Sequence, residues 1–188
     1  MESVTLKVGP GLFQDPILGP LRKSLFVTPT DTVYGISAVT SLSGANKTIA
    51  SLKGRANSQF IVLISRPEDV ERVASLTPEQ KTHISHYWPA PITFILRDHH
   101  GKTIAVRCPK NSFLNGLISA LGEPIYSTSA NLHGQPEAQT VDEAKRQLGD
   151  KVAFYIDGGP SLQTKLSTLV DLTVSPPRVL RPGAVPFT

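Results

Sequence analysis

Residues 111–131, NSFLNGLISALGEPIYSTSAN, contain in one stretch the two patterns that predict the fold of this chain. Over 111–121 the apolar residues recur at helical spacing and fall on one face, which predicts an amphipathic helix. They are Phe113, Leu114, Leu117, Ile118 and Leu121. A short apolar run then begins at Ile125 and predicts a strand, which ends in a cluster of hydroxyl side chains. A helix followed directly by a strand is typical of α/β proteins.

The same alternation of helix and strand patterns continues on both sides of this stretch. Short apolar runs predict strands at 25–27, 60–64, 92–96, 103–106, 125–127, 152–156, 168–170 and 179–180. Capping patterns predict helices that begin after Thr77 and Thr140, and Gly149 is expected to end the second of them. Weaker patterns predict a helix over 43–53 and a shorter one that opens at 65–68. Several strand runs are apolar at every position, which indicates a partly parallel sheet that is covered on both faces.

The composition bounds the class of protein. A chain of 188 residues predicts one domain, and its formal net charge of +4 suits an anionic ligand or RNA. The single cysteine, Cys108, excludes an intrachain disulfide and a metal site built from several thiolates. Its apolar runs are far shorter than the roughly 18 residues that cross a bilayer. The start of the chain, Met1-Glu2-Ser3, does not resemble a secretory signal, so we expect a cytoplasmic protein with no membrane partner.

Three polar clusters interrupt the pattern, and each allows two interpretations. TPTDTVYG at 28–35 can bind a small polar ligand through its hydroxyls and carboxylate, or it can form a turn that caps a helix. Lys53 and Arg55 can converge on an oligo-anion, or they can complement the dipole of a helix end. YSTSAN at 126–131 can bind a ligand at the carboxyl end of a strand, or it can be an ordinary polar loop.

Other candidate features carry less information. His83 and His86 have a spacing that two metal ligands could use, but without a third ligand a packing or solvated role is favoured. Arg107 could lower the pKa of the neighbouring Cys108, yet an inert, partly buried thiol is the favoured interpretation. The chain lacks a Walker-type loop and a dinucleotide-binding fingerprint.

The order of the clusters resembles that of the YrdC family. Seven motifs carry the resemblance: PTDTVYG at 29–35, KGR at 53–55, PIT at 91–93, AVRCP at 105–109, STSAN at 127–131, STLVD at 167–171 and LRPGA at 180–184. The resemblance extends over nearly the whole chain. It implies an α/β fold in which a twisted mixed sheet with flanking helices encloses a basic concave cavity. For a chain of this length it implies a single YrdC-like domain over 1–188.

The resemblance also implies an activity. Family members of this kind make threonylcarbamoyl-adenylate and pyrophosphate from L-threonine, bicarbonate or CO2, and ATP, with Mg²⁺ accompanying the nucleotide. The product serves the threonylcarbamoyladenosine modification of tRNA. The implied partners are therefore these substrates, a downstream threonylcarbamoyl transferase complex and, as a candidate contact, tRNA itself.

Site residues follow from the positions that match the family motifs. Lys53 and Arg55 would be catalytic, through their contact with the triphosphate, and no side chain would ligate a metal directly. The ATP-binding set would be Lys53, Arg55, Thr93, Ser129, Asn131 and Arg181. The threonine-binding set would be Thr30, Thr32, Arg107, Ser127 and Ser167, with Arg107 as the partner of the threonine carboxylate.

Several positions depart from the usual family pattern, and this keeps alternatives open. Asp31 stands in place of glutamate and Ala56 in place of proline. Gln59-Phe60 stands in place of His-Pro, and Ala90 in place of glycine. A YciO-like paralogue without synthase activity is one alternative, but that branch tends to lack the asparagine that stands here at position 131. An RNA-binding module without catalysis is the other alternative.

Overall fold

A computed structural model describes residues 3–54, 60–163 and 165–188, and these form one large mixed sheet with helices on its faces. The strands are β1 (Val4–Lys7), β2 (Phe26–Thr28), β3 (Gly35–Val39), β4 (Ile61–Leu63), β5 (Ile92–Arg97), β6 (Thr103–Arg107), β7 (Ile125–Ser129), β8 (Phe154–Asp157), β9 (Thr168–Asp171) and β10 (Arg178–Arg181). The helices are α1 (Asp15–Arg22), α2 (Ala45–Leu52), α3 (Pro78–Tyr87), α4 (Ser112–Leu121) and α5 (Val141–Leu148). Short 3₁₀ helices cover Pro10–Phe13, Pro67–Arg72 and Gly149–Lys151.

The strand order across the sheet is β1-β8-β2-β3-β7-β4-β6-β5-β9-β10. Strand β8 is parallel to both of its neighbours, and β4 with β6 and β5 with β9 are also parallel pairs. The remaining neighbours run antiparallel. The mixed α/β architecture predicted from the sequence is therefore confirmed.

Both faces of the sheet are covered by apolar layers, as the uninterrupted apolar runs predicted. In β2, Phe26 packs in the layer that contains α1 and α4, whereas its neighbour Val27 packs in the layer of α2 and α5. Successive side chains of a strand point to opposite faces, so a buried central strand needs apolar residues at every position. A third cluster packs α3 against β5 and β9 through Ile84, Trp88 and Phe94.

The predicted helix starts are present with their capping hydrogen bonds. The Thr77 hydroxyl accepts the amide of Gln80, and the Gln80 side chain accepts the amide of Thr77 in return. Thr140 caps α5 by accepting the amide of Glu143, and Asn111 caps α4 by accepting that of Leu114. These local bonds satisfy amides that lack a partner within the helix.

Strand β3 lies in the middle of the sheet, and the sequence pattern did not predict it. Its residues, GISAV, include glycine and serine, which have weak strand propensity. The strand forms because β7 pairs with all five of its residues and β2 pairs with the first three. Gly35 fits there because a Cβ at that position would lie 2.6 Å from the Ser127 hydroxyl. Strand β1 and helix α1 were likewise not predicted.

The segment that follows β10 returns to β9. The amide of Ala184 donates to the carbonyl of Leu166 at 3.0 Å, and the amide of Val185 donates to the hydroxyl of Thr168 at 3.3 Å. Gly183 lies against this backbone so closely that a Cβ would be 2.5 Å from the Leu166 oxygen and would also clash with the Thr168 nitrogen. A side chain at 183 would therefore push Ser167 and its neighbours out of place.

We predict that Gly183→Ala lowers the free energy of unfolding by about 1–3 kcal/mol, since the backbone of residues 166–168 has to move to admit the new Cβ. Chemical denaturation monitored by circular dichroism measures this change. The matched control is Gly19→Ala in α1, where a Cβ meets nothing within 4 Å. Because alanine favours a helix over glycine, the control should be neutral or stabilising. Equal effects of the two substitutions would contradict the argument.

Candidate active site

The register of the sheet builds the floor of a cavity of about 310 Å³. Residues that pair directly on neighbouring strands present their side chains on the same face. One such row crosses β7, β4, β6 and β5 through Ser127, Ile61, Ala105 and Ile95, and all four line the cavity. Residues far apart in the sequence are thereby brought to one site.

Most of the residues singled out from the sequence line this cavity. They are Thr30, Thr32, Arg107, Ser127, Ser129, Asn131, Ser167 and Arg181. Thr93 lies behind the wall, with its hydroxyl 2.8 Å from that of Ser167. Arg55 lies outside the described residues, as do the departures at Ala56 and Gln59, whereas Phe60 is buried and lines the cavity.

Lys53 is buried directly behind two of the lining residues, with 1% of its surface exposed. It follows the end of α2, and its Nζ donates to the carbonyl of Ser129 at 2.8 Å and to the hydroxyl of Ser129 at 3.3 Å. It also bonds Oδ1 of Asn131. The lysine of one cluster and the Ser-x-Asn motif of another therefore form a single network, which raises the positive potential at this part of the cavity.

A second cation, Arg107, enters the cavity from the end of β6. Its Nη2 lies 3.2 Å from Oδ1 of Asp31, and these side chains are only 5% and 4% exposed. The other oxygen of Asp31 accepts the amide of Lys110 at 3.0 Å. Within the part of the chain that the structure describes, the Nε–H of Arg107 has no hydrogen-bond acceptor. A buried donor without a partner fits a ligand that brings an acceptor.

The third cation, Arg181, is anchored to Ser167. Its Nη2 donates to the Ser167 carbonyl at 2.9 Å and to the Ser167 hydroxyl at 3.3 Å. Burial, followed by the positive charge of Arg107, lowers the pKa of Arg181, and Glu137 acts in the opposite direction. Arginine nevertheless stays protonated in proteins, so two guanidinium groups share the cavity. This arrangement favours an anionic ligand.

Sequence reasoning missed the cavity position of Glu137, whereas Tyr34, which also lines the cavity, belongs to the polar cluster at 28–35. Hydrogen bonds close the loop that carries Glu137: the amide of Ala138 donates to Ala130 at 3.3 Å, and the amide of Tyr34 donates to Ala138 at 3.2 Å. No local pattern around Glu137 signals this return towards β3, because it depends on pairing between distant segments.

Metal ligation and membrane insertion can both be examined over the described residues. Across residues 3–54, 60–163 and 165–188, no cluster of three or more His, Cys, Asp or Glu could hold a metal ion. His83 packs against Phe187, and His86 packs against Tyr87, as a packing role predicted. None of the described helices has the length and hydropathy needed to span a bilayer.

Comparison with known proteins places this site in a family. A family model described as Sua5_yciO_yrdC, telomere recombination, matches residues 21–183. The chain belongs to this Sua5/YciO/YrdC family. The family predicted from the seven motifs is therefore confirmed.

Two relatives cover most of the chain. A Mycobacterium leprae protein provisionally named threonylcarbamoyl-AMP synthase is 38% identical over 173 residues, which cover 86% of this chain and 78% of the relative. The threonylcarbamoyl-AMP synthase of Vibrio parahaemolyticus is 30% identical over 184 residues, with 90% of this chain and 98% of the relative covered.

Two solved structures of the Sua5/YciO/YrdC family share the fold. Sua5 of P. abyssi, crystallised with L-threonine, gives a TM-score of 0.90 at 30% identity and covers 98% of this chain. This chain spans 58% of that Sua5 chain. E. coli YciO gives a TM-score of 0.85 at 25% identity, with 96% of both chains covered. The predicted YrdC-like fold is therefore confirmed.

In this Sua5/YciO/YrdC chain the cysteine next to Arg107 is chemically protected. Burial raises the pKa of Cys108 to about 12, and the negative charges of Asp31, Glu68 and Asp69 act in the same direction. The inert thiol favoured by the sequence is in agreement with this environment. The neighbouring arginine points into the cavity and does not activate the thiol.

We predict that iodoacetamide modifies Cys108 in the native protein at pH 8 about 10³-fold more slowly than in the unfolded chain, because only the thiolate reacts. Mass spectrometry of timed samples measures this ratio.

The raised pKa of Cys108 also means that, as the pH rises, the unfolded chain loses the thiol proton before the folded protein does. Unfolding free energy should therefore fall as the pH rises from about 9 towards about 12. Rapid labelling of the native protein would contradict the assignment.

Proposed function

We propose that this protein is a threonylcarbamoyl-AMP synthase, which joins L-threonine, bicarbonate or CO2, and ATP into threonylcarbamoyl-adenylate and pyrophosphate. The observation that carries the proposal is the meeting of two groups in one cavity. Lys53 with the Ser-x-Asn motif supplies one group, and Arg107 with Arg181 supplies the other. The names of the M. leprae and V. parahaemolyticus relatives support it.

The reaction needs no covalent enzyme nucleophile. The neutral amine of threonine captures CO2 as a carbamate and loses a proton to solvent, and a carbamate oxygen then attacks the α-phosphorus of ATP. The bond between that phosphorus and the β-phosphate oxygen breaks, and pyrophosphate leaves. Catalysis can then depend on holding the reactants together and on stabilising charge that develops on the phosphoryl group.

The threonine subsite is proposed around Arg107, Thr30 and Thr32. Arg107 offers an unpartnered Nε–H to the carboxylate of threonine. The Thr30 hydroxyl donates to the Val33 carbonyl at 2.7 Å and accepts the amide of Thr32 at 3.0 Å. Because the Thr30 hydroxyl already donates its proton to the Val33 carbonyl, the Thr32 hydroxyl must be the donor in the 3.0 Å contact between the Thr30 and Thr32 hydroxyls. Thr32 is left with acceptor lone pairs, which suit the ammonium or hydroxyl of threonine.

The triphosphate subsite is proposed around Lys53, Ser129 and Asn131, with Arg55 as a further contact. Thr93 and Arg181 would also contribute to ATP binding, and both of them contact Ser167 of the threonine-binding set. Mg²⁺ would accompany ATP and share the negative charge of its phosphates. We propose no direct protein ligand for the ion, which can keep its waters and the phosphate oxygens as ligands.

The remaining partners belong to the proposal as well. Threonylcarbamoyl-adenylate would pass to a threonylcarbamoyl transferase complex for the modification of tRNA, and contact between tRNA and this protein is a further hypothesis. A cytoplasmic location fits a chain whose single thiol is buried and requires no oxidising compartment. Because acyl-adenylates are lost to water, shelter of the product in the cavity would protect it until transfer.

A YciO-like protein without synthase activity is the second candidate, favoured by the equal 96% coverage of this chain and of YciO. Asn131 argues against it, because its Oδ1 accepts from both Lys53 and Ser129 and so ties the lysine to the cavity wall. A non-catalytic RNA-binding module would instead show affinity that falls steeply with salt.

We predict that the protein releases pyrophosphate from Mg-ATP only when threonine and bicarbonate are both present. A coupled phosphate assay after pyrophosphatase treatment measures the release, and mass spectrometry detects the adenylate. Omission of either substrate is the control. Release that continues unchanged without threonine would overturn the proposed activity and favour another member of the family.

We predict that Lys53→Ala lowers turnover by roughly 10²–10³-fold, since loss of one charge partner of the transition state costs about 3–4 kcal/mol. Lys47→Ala is the matched control, because Lys47 is an exposed lysine on α2, the helix that Lys53 directly follows. Initial rates of pyrophosphate release compare the three proteins after circular dichroism has established folding. A folded Lys53→Ala protein with wild-type turnover would remove Lys53 from the mechanism.

A further inference from the structure

Asp31 connects two segments that lie far apart in the sequence. Its Oδ1 lies 3.2 Å from Nη2 of Arg107, and its Oδ2 accepts the backbone amide of Lys110 at 3.0 Å. One carboxylate therefore holds both the last residue of β6 and the chain that follows it. Asp31 also lies between Thr30 and Thr32, so these bonds fix the distance between two walls of the proposed threonine subsite.

The pairing with Asp31 uses only part of the hydrogen-bonding capacity of Arg107. A guanidinium has five N–H donors. Asp31 approaches one end nitrogen, and among the described residues nothing accepts from Nε. Oδ1 of Asp31 has no aligned hydrogen bond either, so the pair is held by charge more than by hydrogen-bond geometry. The donors that Asp31 leaves unused remain available to a ligand carboxylate in the cavity.

Charge gives Asp31 a second effect on the site. Arg107 and Arg181 share the cavity, and their two positive charges repel each other. A negative group beside Arg107 reduces this repulsion and keeps the guanidinium in one place. With the Arg107 and Asp31 side chains 5% and 4% exposed, water cannot take over this role.

We propose that Asp31 is a positioning residue, which holds the Arg107 guanidinium so that its free donors face the carboxylate of threonine. The inference rests on the proposed function and adds to it a residue that does not itself touch the substrate. The carboxylate of Asp31 lies beside one nitrogen of Arg107 and leaves Nε unbonded.

The test compares Asp31→Asn with the wild type by calorimetric titration of L-threonine and by steady-state kinetics. We expect the affinity for L-threonine to fall about tenfold or more, because the amide cannot hold the buried cation in place. The KM for threonine should rise by a similar factor. Turnover at saturating threonine and the KM for Mg-ATP should stay within about threefold, since the loss lies in ground-state binding.

Asp69→Asn is the matched control. Asp69 also pairs with an arginine at 3.2 Å, through Arg66, and its side chain is 10% exposed. It lines a different cavity from the proposed site. The same chemical change there removes a structural ion pair but should leave the KM for threonine unchanged. A general loss of stability would therefore affect both variants. Only a positioning role of Asp31 predicts that threonine binding weakens in Asp31→Asn and not in Asp69→Asn.

Asp31→Glu supplies the conservative variant if Asp31→Asn does not fold. It keeps the negative charge, so we expect threonine affinity within about threefold of wild type. A folded Asp31→Asn protein that binds threonine as well as wild type overturns the positioning role, and so does a folded Asp31→Glu protein that binds it tenfold more weakly. A wild-type protein that binds no L-threonine overturns the proposed function, and the positioning role with it.

Discussion

Three cations around one cavity, two buried and one half-buried, impose the constraint on which the site depends. Lys53 and Arg107 are buried and Arg181 is half-buried, and each of the three is held by different acceptor groups. Lys53 uses the oxygens of the Ser-x-Asn motif, Arg107 uses a carboxylate, and Arg181 uses the backbone of Ser167. Charged groups are rarely buried without such compensation, because desolvation is costly. Their concentration at one place is best explained by an anionic ligand that completes the compensation.

The sheet makes this concentration possible. Pairing of β3 with β7, and of β7 with β4, aligns residues from three parts of the sequence on one face. Small or hydroxylated side chains such as Gly35 and Ser127 leave space over the middle strands, while the apolar layers beside them remain closely packed. The cavity is therefore a gap in an otherwise filled face, and the rigidity of its floor comes from strand pairing and not from loops.

Local signals explain which parts of the fold were predictable. Helices α3, α4 and α5 carry caps, α4 and α5 add a periodic apolar face, and the strand runs of β4 and β5 are apolar enough to be identified directly. Strand β3 was missed because pairing, and not propensity, stabilises GISAV. The ordered motifs led to most of the cavity residues. The partnership of Asp31 with Arg107 and the position of Glu137 depend on tertiary contacts that no local pattern encodes.

The hydroxyl pair of Thr30 and Thr32 has a consequence for selectivity. The Thr32 hydroxyl donates its only proton to the Thr30 hydroxyl. It can therefore act only as a hydrogen-bond acceptor toward a ligand in the cavity. This selects for ligand groups that donate a hydrogen bond. Amines and alcohols can bind there, whereas ethers, ketones and esters have no donor for the Thr32 oxygen. Discrimination of this kind comes from the direction of one hydrogen bond, and it requires neither a charged side chain nor a tight steric fit.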